Sequence, residues 1–150
     1  MAALFTPYTF THPLLGPLTG RISPSTPSVV HFRSIPFATI PARFRQSILL
    51  TSVPPNHNRD FTKYGAACPQ PYDVRQREAA GGVLHGEEEK TFNELECLNL
   101  TISVPVLALE GEANRLPVMV YTHGGGFVSG SGHISALHGR FCRDIGRNRF

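Results

Sequence analysis

The sequence is short of charged residues, which make up only 17% of its 150 positions. Because 41% of the residues are apolar and the net charge is only +3, the composition excludes a fully disordered chain. The basic residues are scattered, and no basic patch alternates with aromatic residues as in nucleic-acid binders, which argues against a nucleic-acid partner. No apolar stretch approaches the length needed to span a membrane.

The sequence also lacks the patterns typical of a metal or redox centre. It has three cysteines but no C-x-x-C pair, and an odd number excludes complete intramolecular pairing. None of the seven histidines has a clear metal-ligand spacing. The acidic run of residues 87–89 cannot turn all three carboxylates toward one ion on a regular element. We therefore expect no metal site.

A secretory signal is not evident, because no basic residue precedes Arg21 and prolines interrupt the apolar residues before it. This indicates a cytoplasmic location by default, although the cysteine count leaves the compartment open. The first 27 residues are rich in Pro, Thr and Ser and have no clear periodicity. We therefore predict a poorly ordered arm over residues 1–28 and a partial domain over residues 29–150.

The 14 glycines and 13 prolines favour loops over long helices. Short strands are predicted at Val29–Phe32 and at Cys97–Val104, where apolar and polar residues alternate. A single helical turn is predicted over Asp60–Tyr64, with Asp60 as its N-cap. A helix is predicted over His133–Ile145, where apolar residues recur near one face.

The stretch Leu116–Phe127 dominates the sequence. It begins with alternating β-formers, which predict an inner strand that pairs as a hairpin with the strand before it. The strand leads into Gly124, Gly125 and Gly126, where no side chain blocks a ligand from the backbone. Successive N–H groups on such a loop can stabilise a developing negative charge, as an oxyanion hole does.

The loop has other interpretations besides the oxyanion hole. Gly125 and Gly130 have the spacing of a phosphate-binding loop, but Ser131 and Gly132 stand where that motif has Lys and Ser or Thr. A structural tight turn stays open as an alternative. His123 precedes the glycines and fits loop support by hydrogen bonding better than a general-base role.

No nucleophile is found in the sequence. No serine lies in a G-x-S-x-G elbow, and Ser129 and Ser131 lie in the glycine loop, which is not a strand-to-helix turn. Asn99 begins an N-glycosylation sequon, but it lies within a predicted strand, so we interpret the sequon as a chance occurrence.

Five ordered segments resemble the N-terminal part of type B carboxylesterases, the cholinesterase-like branch of the α/β-hydrolases. They are RSIPFA (33–38), RF (43–44), YGAACPQ (64–70), ECLNLTI (96–102) and the core LPVMVYTHGGGFVSGSG (116–132). Departures from the family pattern are Ser34 for Gly, Leu95 for Glu, Glu96 for Asp and Thr101 for Asn.

The resemblance implies an α/β fold: the N-terminal part of an α/β-hydrolase, mostly strands and loops, with a short C-terminal helix and an incomplete sheet. It implies serine-type hydrolysis of a small-molecule carboxylic ester through an acyl-enzyme, without a cofactor. Gly125 and Gly126 match the oxyanion-hole donors, Gly124 shapes the turn, and Cys68 and Cys97 match a disulfide pair. A secreted location is also possible by family.

The family's nucleophile elbow, acid and catalytic histidine would all lie beyond Phe150. We therefore interpret the sequence as a truncated chain or fragment, and we expect the isolated chain to be inactive. Two alternatives stay open. One is a non-catalytic interaction module, as some cholinesterase-like domains are, and the other is a non-functional gene fragment.

Overall fold

The structure, a computed structural model, describes residues 5–54, 57–71, 91–111 and 116–132. The strands are β1 (Thr6–His12), β2 (Gly16–Ser23), β3 (Thr26–Pro36), β4 (Ala38–Thr39), β5 (Ile48–Leu49) and β6 (Asn99–Pro105), and one short helix, α1 (Val106–Leu109), follows β6. Four of the strands form an antiparallel sheet in the order β1-β2-β3-β6. The other two, β4 and β5, come between β3 and β6 in the chain and form a two-stranded sheet.

The N-terminal segment differs from the predicted loosely ordered arm, because it contains a β-hairpin. β1 pairs with β2 over its whole length, from Thr6 opposite Ile22 to His12 opposite Gly16. The strand signal was present in the sequence, since Thr, Tyr and Phe favour strands. Pro7 is tolerated because β1 is an edge strand, Pro13 lies in the turn, and Pro17 lies in the part of β2 that pairs with β1 only.

The third strand confirms the prediction at Val29–Phe32 and extends it at both ends to Thr26 and Pro36. Val30 is fully buried, and Phe32 is 4% exposed. Gly20 of β2 lies so close to β3 that a Cβ there would be 2.8 Å from Val30 Cγ1. The absence of a side chain at Gly20 therefore lets the two strands approach.

The core forms where the sheet packs against the segment that follows Pro54. Its buried members are Leu18, Val30, Phe32, Val53 and Phe61. The backbone of Phe61 donates to Thr19 O at 2.7 Å and accepts from Arg33 N at 2.8 Å. Phe61 therefore fixes this segment to both central strands while its ring fills the core.

The predicted helical turn over Asp60–Tyr64 is not present. Asp60 instead forms an isolated bridge with Thr19, and its Oδ1 accepts from Thr62 N at 3.0 Å. The carboxylate therefore makes the hydrogen bond expected of a cap, but in a local turn, because the backbone of this segment pairs with β2.

The last strand, β6, confirms the strand predicted over Cys97–Val104, with bounds shifted to Asn99–Pro105. It pairs with β3, from Val29 opposite Pro105 to Pro36 opposite Asn99, so the predicted hairpin with Leu116–Thr122 is wrong. Its apolar residues Leu100 and Ile102 lie on the more exposed face, at 38% and 44% exposure.

The predicted inner strand at the start of Leu116–Phe127 is also wrong, since residues 116–123 have neither helix nor strand. Val118 and Val120 are 85% and 84% exposed. An inner strand needs a hydrogen-bonded neighbour on each side, and the described part of the chain places none beside this stretch. The alternating residues favour a strand, but the pattern does not show which segment would pair with it.

Several sequence predictions lie outside the described residues. These are the helix over His133–Ile145, the acidic run 87–89 and Cys142. Within the described ranges, no helix is long and apolar enough to cross a membrane. The observed architecture is mostly strands and loops, with incomplete sheets and one short helix among the residues described.

Candidate functional site

The candidate site is the glycine loop, residues 123–130. Its backbone adopts conformations that side chains disfavour, with φ of +130° at Gly125, +60° at Gly126 and +107° at Gly130. Phe127 has φ +63° although it carries a side chain, and its ring is fully exposed. Glycine provides these left-handed conformations without a steric penalty, which is why the sequence can form so tight a loop.

One carbonyl organises the centre of the loop. Gly125 O accepts from Val128 N and Ser129 N, both at 3.1 Å, and from Ser129 Oγ at 3.3 Å. A Cβ on Gly125 would lie 1.9 Å from Ser129 O, so any side chain there would open the loop. The loop is therefore a tight turn closed from Gly125 to Ser129.

The N–H groups of Gly125 and Gly126, unlike the Gly125 carbonyl, make no hydrogen bond to another residue in the described ranges. Gly126 has open space where a Cβ would be, and so does Gly124. A ligand atom can therefore approach the backbone at Gly124 and Gly126 without meeting a side chain.

The side chain of His123 lies close to both Gly124 and Gly130. Its Nδ1 hydrogen-bonds Gly124 O at 2.9 Å, which makes the ring nitrogen the donor. A Cβ on Gly130 would be 2.5 Å from the same nitrogen. The imidazole is exposed and its donor is engaged by the backbone, so the arrangement resembles a loop support.

Gln70 joins the glycine loop to the rest of the structure. Its Nε2 donates to Gly130 O at 2.9 Å, and its Oε1 accepts from Gly130 N at 2.8 Å. The same Nε2 lies 3.1 Å from Cys68 O. The sequence included Gln70 in a family motif but gave no indication of this contact, because the two residues are 60 positions apart.

The predicted disulfide pair is not bonded in the structure, because Cys68 and Cys97 are free thiols. Burial raises the pKa of Cys97, and the nearby Cys68, through its charge and a hydrogen bond, raises it further. The Cys68 thiol therefore lies near enough to Cys97 to affect its titration.

Asn99 holds the segment that carries Cys68 and Gln70. Its Nδ2 donates to Ala66 O at 2.8 Å and to Glu96 O at 3.3 Å. Gly65 packs directly on this amide, since a Cβ there would be 2.7 Å from Asn99 Cγ. Glycosylation at Nδ2 would disturb these contacts, which fits the interpretation of the sequon as a chance occurrence.

Sequence reasoning also missed an ion pair beside this segment. Arg43 of the RF motif binds Glu94, with Nη2–Oε2 and Nε–Oε2 distances of 2.6 and 2.8 Å. The family pattern has its Glu at the position of Leu95. The structure places a carboxylate one residue earlier, at a site that Arg43 can reach.

A cleft of about 330 Å³ is lined in part by the 65–66 and 95–99 segments. Its lining includes Ser34, His57, Glu96 and Asn99 but no residue of the glycine loop. Within the ranges that the structure describes, no group of three His, Cys, Asp or Glu side chains could hold a metal ion. The glycine loop therefore stays the candidate site.

Comparison with known proteins identifies the family of the chain. Residues 6–144 match the carboxylesterase family. The chain is 37% identical to Lipase 1 of Yarrowia lipolytica over 106 residues, 69% of this chain and 19% of the relative. It is 31% identical to para-nitrobenzyl esterase of Bacillus subtilis over 129 residues, 81% of this chain and 23% of the relative. It is 30% identical to acetylcholinesterase of Electrophorus electricus over 119 residues, 79% of this chain and 18% of the relative.

The chain thus spans only about a fifth of the length of the curated relatives it matches. The match nevertheless covers the hairpin, the central strands and the glycine loop. The partial sheet and loops described above are consistent with the N-terminal region of an α/β-hydrolase. The chain belongs to the carboxylesterase family.

Proposed function

We propose that this chain supplies the oxyanion hole of a serine-type carboxylic ester hydrolase. The observation that carries the proposal is the pair of N–H groups at Gly125 and Gly126, which donate to no other described residue. They lie in a loop that the carboxylesterase family match covers. Two of the relatives described above are a lipase and an esterase.

The proposed chemistry follows from how charge moves in ester hydrolysis. When a nucleophile attacks the ester carbonyl, negative charge develops on the carbonyl oxygen. Two preorganised N–H donors stabilise that oxygen more than they stabilise the neutral ester. Removal of one such donor costs about a hundred- to a thousandfold in rate.

The other residues of the loop have supporting roles in this proposal. Gly124 shapes the turn that leads into the two donors. His123 donates to Gly124 O and so supports the loop. The substrate would be a small-molecule carboxylic ester, and serine-type hydrolysis requires no cofactor.

The 150 residues contain no G-x-S-x-G serine. Serine-type turnover requires an activated nucleophile, which an oxyanion hole alone does not provide. We therefore expect the isolated chain to hydrolyse 4-nitrophenyl butyrate no faster than the same chain after heat denaturation. The denatured chain is the proper baseline, because its seven histidines alone can attack an activated ester.

A para-nitrobenzyl esterase assayed beside it would establish that the assay detects family activity. Turnover above the denatured baseline that a serine-directed phosphonate abolishes would overturn the expectation of inactivity. It would also reveal a nucleophile that the sequence motifs do not indicate.

The same family resemblance leads us to propose a disulfide between Cys68 and Cys97 under oxidising conditions. The neighbouring thiols support it. The bond would close a loop of about 30 residues and stabilise the fold by about 3 kcal/mol in the chain-entropy model. Tryptic mass mapping without reductant would detect the linked peptide, and only separate peptides after mild oxidation would contradict the proposal.

A further inference from the structure

The side-chain amide of Gln70 pairs with both backbone groups of Gly130. The amide nitrogen donates to Gly130 O at 2.9 Å and the amide oxygen accepts from Gly130 N at 2.8 Å. One planar side chain thus contacts a backbone unit in the way that a neighbouring strand would. Both Gln70 and Gly130 are only partly exposed, so water competes less for these hydrogen bonds than at an open surface.

Gly130, the residue that Gln70 binds, packs closely against the first residues of the loop. Gly130 has φ +107°, and a Cβ on it would be 2.3 Å from Gly124 O and 2.5 Å from His123 Nδ1. The backbone of Gly130 is therefore packed against the residues that begin the loop. Any shift of Gly130 changes the space available to Gly124 and hence the direction of the N–H groups that follow it.

The segment that carries Gln70 is itself anchored, through Ala67, to residues 91–93. The Gln70 Nε2 also contacts Cys68 O at 3.1 Å. Just before Cys68, Ala67 N donates to Thr91 O at 2.9 Å and Ala67 O accepts from Asn93 N at 3.1 Å. The segment from Ala67 to Gln70 is thus fixed by backbone pairing before it reaches the glycine loop.

From this geometry we infer that Gln70 is the positioning residue of the glycine loop and sets the orientation of the Gly125 and Gly126 N–H groups through Gly130. The inference rests on the proposed oxyanion-hole function for its catalytic meaning. The role requires a side chain that both donates and accepts, at the length of glutamine. Glutamate retains the acceptors but cannot donate to Gly130 O, and alanine lacks both groups.

The test is nuclear magnetic resonance on the full 150-residue chain labelled with ¹⁵N-glycine, in the wild type and in Gln70→Ala, Gln70→Glu and Gln46→Ala. Gln46 is an exposed glutamine outside the site and serves as the matched control. Two quantities are measured: hydrogen exchange at Gly130 N–H, and binding of methanesulfonate, a permanently charged tetrahedral anion, from the shifts of the Gly125 and Gly126 amides.

We expect exchange at Gly130 to be about three- to tenfold faster in Gln70→Ala, the range that corresponds to one lost hydrogen bond. Gln70→Glu should retain the protection of Gly130 N–H, because its carboxylate still accepts that bond. In both variants the Gly125 and Gly126 signals should move and methanesulfonate should bind about three- to tenfold more weakly. Gln46→Ala should match the wild type in every measurement.

The two ideas can fail separately. If the wild type binds the anion at Gly125 and Gly126 and Gln70→Ala binds it equally well, the positioning role is wrong and the oxyanion proposal stands. If the wild type shows no shift at saturating anion, the oxyanion proposal fails, and Gly130 exchange together with the Gly125 and Gly126 signals of Gln70→Ala then decides the inference. Unchanged Gly130 exchange and unchanged Gly125 and Gly126 signals in Gln70→Ala would overturn it.

The Gly20 amide, within the β2–β3 packing, reports whether each variant retains the fold. If Gln70→Ala loses that signal, Gln70→Glu takes its place, because it preserves the size of the side chain. Wild-type anion binding in a folded Gln70→Glu would then overturn the inference.

Discussion

The central strands and the glycine loop lie in one chain but are held in their shapes by different forces. Val30 of β3 and Phe61, which packs against the sheet, are fully buried, and their backbones are hydrogen-bonded on both sides. Next to the loop, Val118 and Val120 are more than four-fifths exposed. The loop itself is shaped by glycine conformations and a few hydrogen bonds, chiefly at Gly125 O and at the backbone of residue 130.

This difference indicates what a substitution should do in each region. A change in the sheet removes buried apolar area, so it should lower the free energy of unfolding of the whole described structure. A change in the loop alters local geometry with little buried area at stake, so it should appear in local exchange more than in global stability. The two regions can therefore be separated by comparing these measurements.

The largest expected effect is that of Phe61→Ala. The side chain is fully buried, and its removal leaves a cavity between β2, β3 and the segment after Pro54. We expect the free energy of unfolding to fall by about 3–5 kcal/mol, measured by urea titration followed by circular dichroism.

Phe44→Ala is the matched control, because Phe44 is 99% exposed and should change stability by about 0.5 kcal/mol or less. A Phe61→Ala loss no larger than that of Phe44→Ala would show that the sheet does not carry the stability of the chain.

The sheet shows what periodicity can and cannot predict. The pattern at Val29–Phe32 located part of β3 because β-branched and aromatic residues favour strands wherever they are buried. The β1–β2 hairpin was missed because prolines usually break strands, although an edge strand tolerates them. The partner of β6 was also predicted wrongly, since pairing between distant segments depends on tertiary contacts that a local pattern does not contain.

The candidate site shows the same limit. The glycine run identified the loop directly, because positive φ angles at Gly125, Gly126 and Gly130 require glycine or a strained residue. The contact of Gln70 with the loop could not be predicted from spacing, since it depends on how a distant segment folds back. The RF motif likewise includes Arg43 but does not indicate what it binds. Its ion pair with Glu94, 51 positions away, is seen only in the structure.

An intermediate effect is expected from Gly130→Ala in the glycine loop. Alanine would have to adopt φ +107°, and its methyl group would meet Gly124 O and His123 Nδ1. We expect a local cost of about 1–3 kcal/mol, seen as faster amide exchange across residues 123–130.

The urea midpoint of Gly130→Ala should change much less than that of Phe61→Ala. Gly132→Ala is the control, because a methyl group added at Gly132 would meet no atom within 4 Å. If Gly130→Ala unfolds the sheet as Phe61→Ala does, the loop and the sheet are one cooperative unit and the contrast between them fails.

The smallest expected effect lies at the junction of the two regions, where Cys97 precedes β6 and Cys68 shares a segment with Gln70. Burial, and then the charge and hydrogen bond of Cys68, raise the pKa of Cys97 above its ordinary value of 9.0 in the folded chain. The folded state therefore holds the thiol proton more tightly than the unfolded state, and this stabilisation is complete below the ordinary pKa. It is lost as the pH rises through the folded-state value.

In the reduced chain, we expect the urea midpoint of the wild type to fall with rising pH above about 9 more steeply than that of Cys97→Ser. The serine variant has no titrating group at this position, so it reports the background from the tyrosines, the lysines and the two other cysteines. Cys68→Ser should give an intermediate slope, because it removes the neighbouring charge but leaves Cys97 partly buried. Equal slopes in all three chains would mean that the two thiols are not coupled in solution, and the connection between the sheet and the Gln70 segment would then depend on Asn99 and the Ala67 backbone alone.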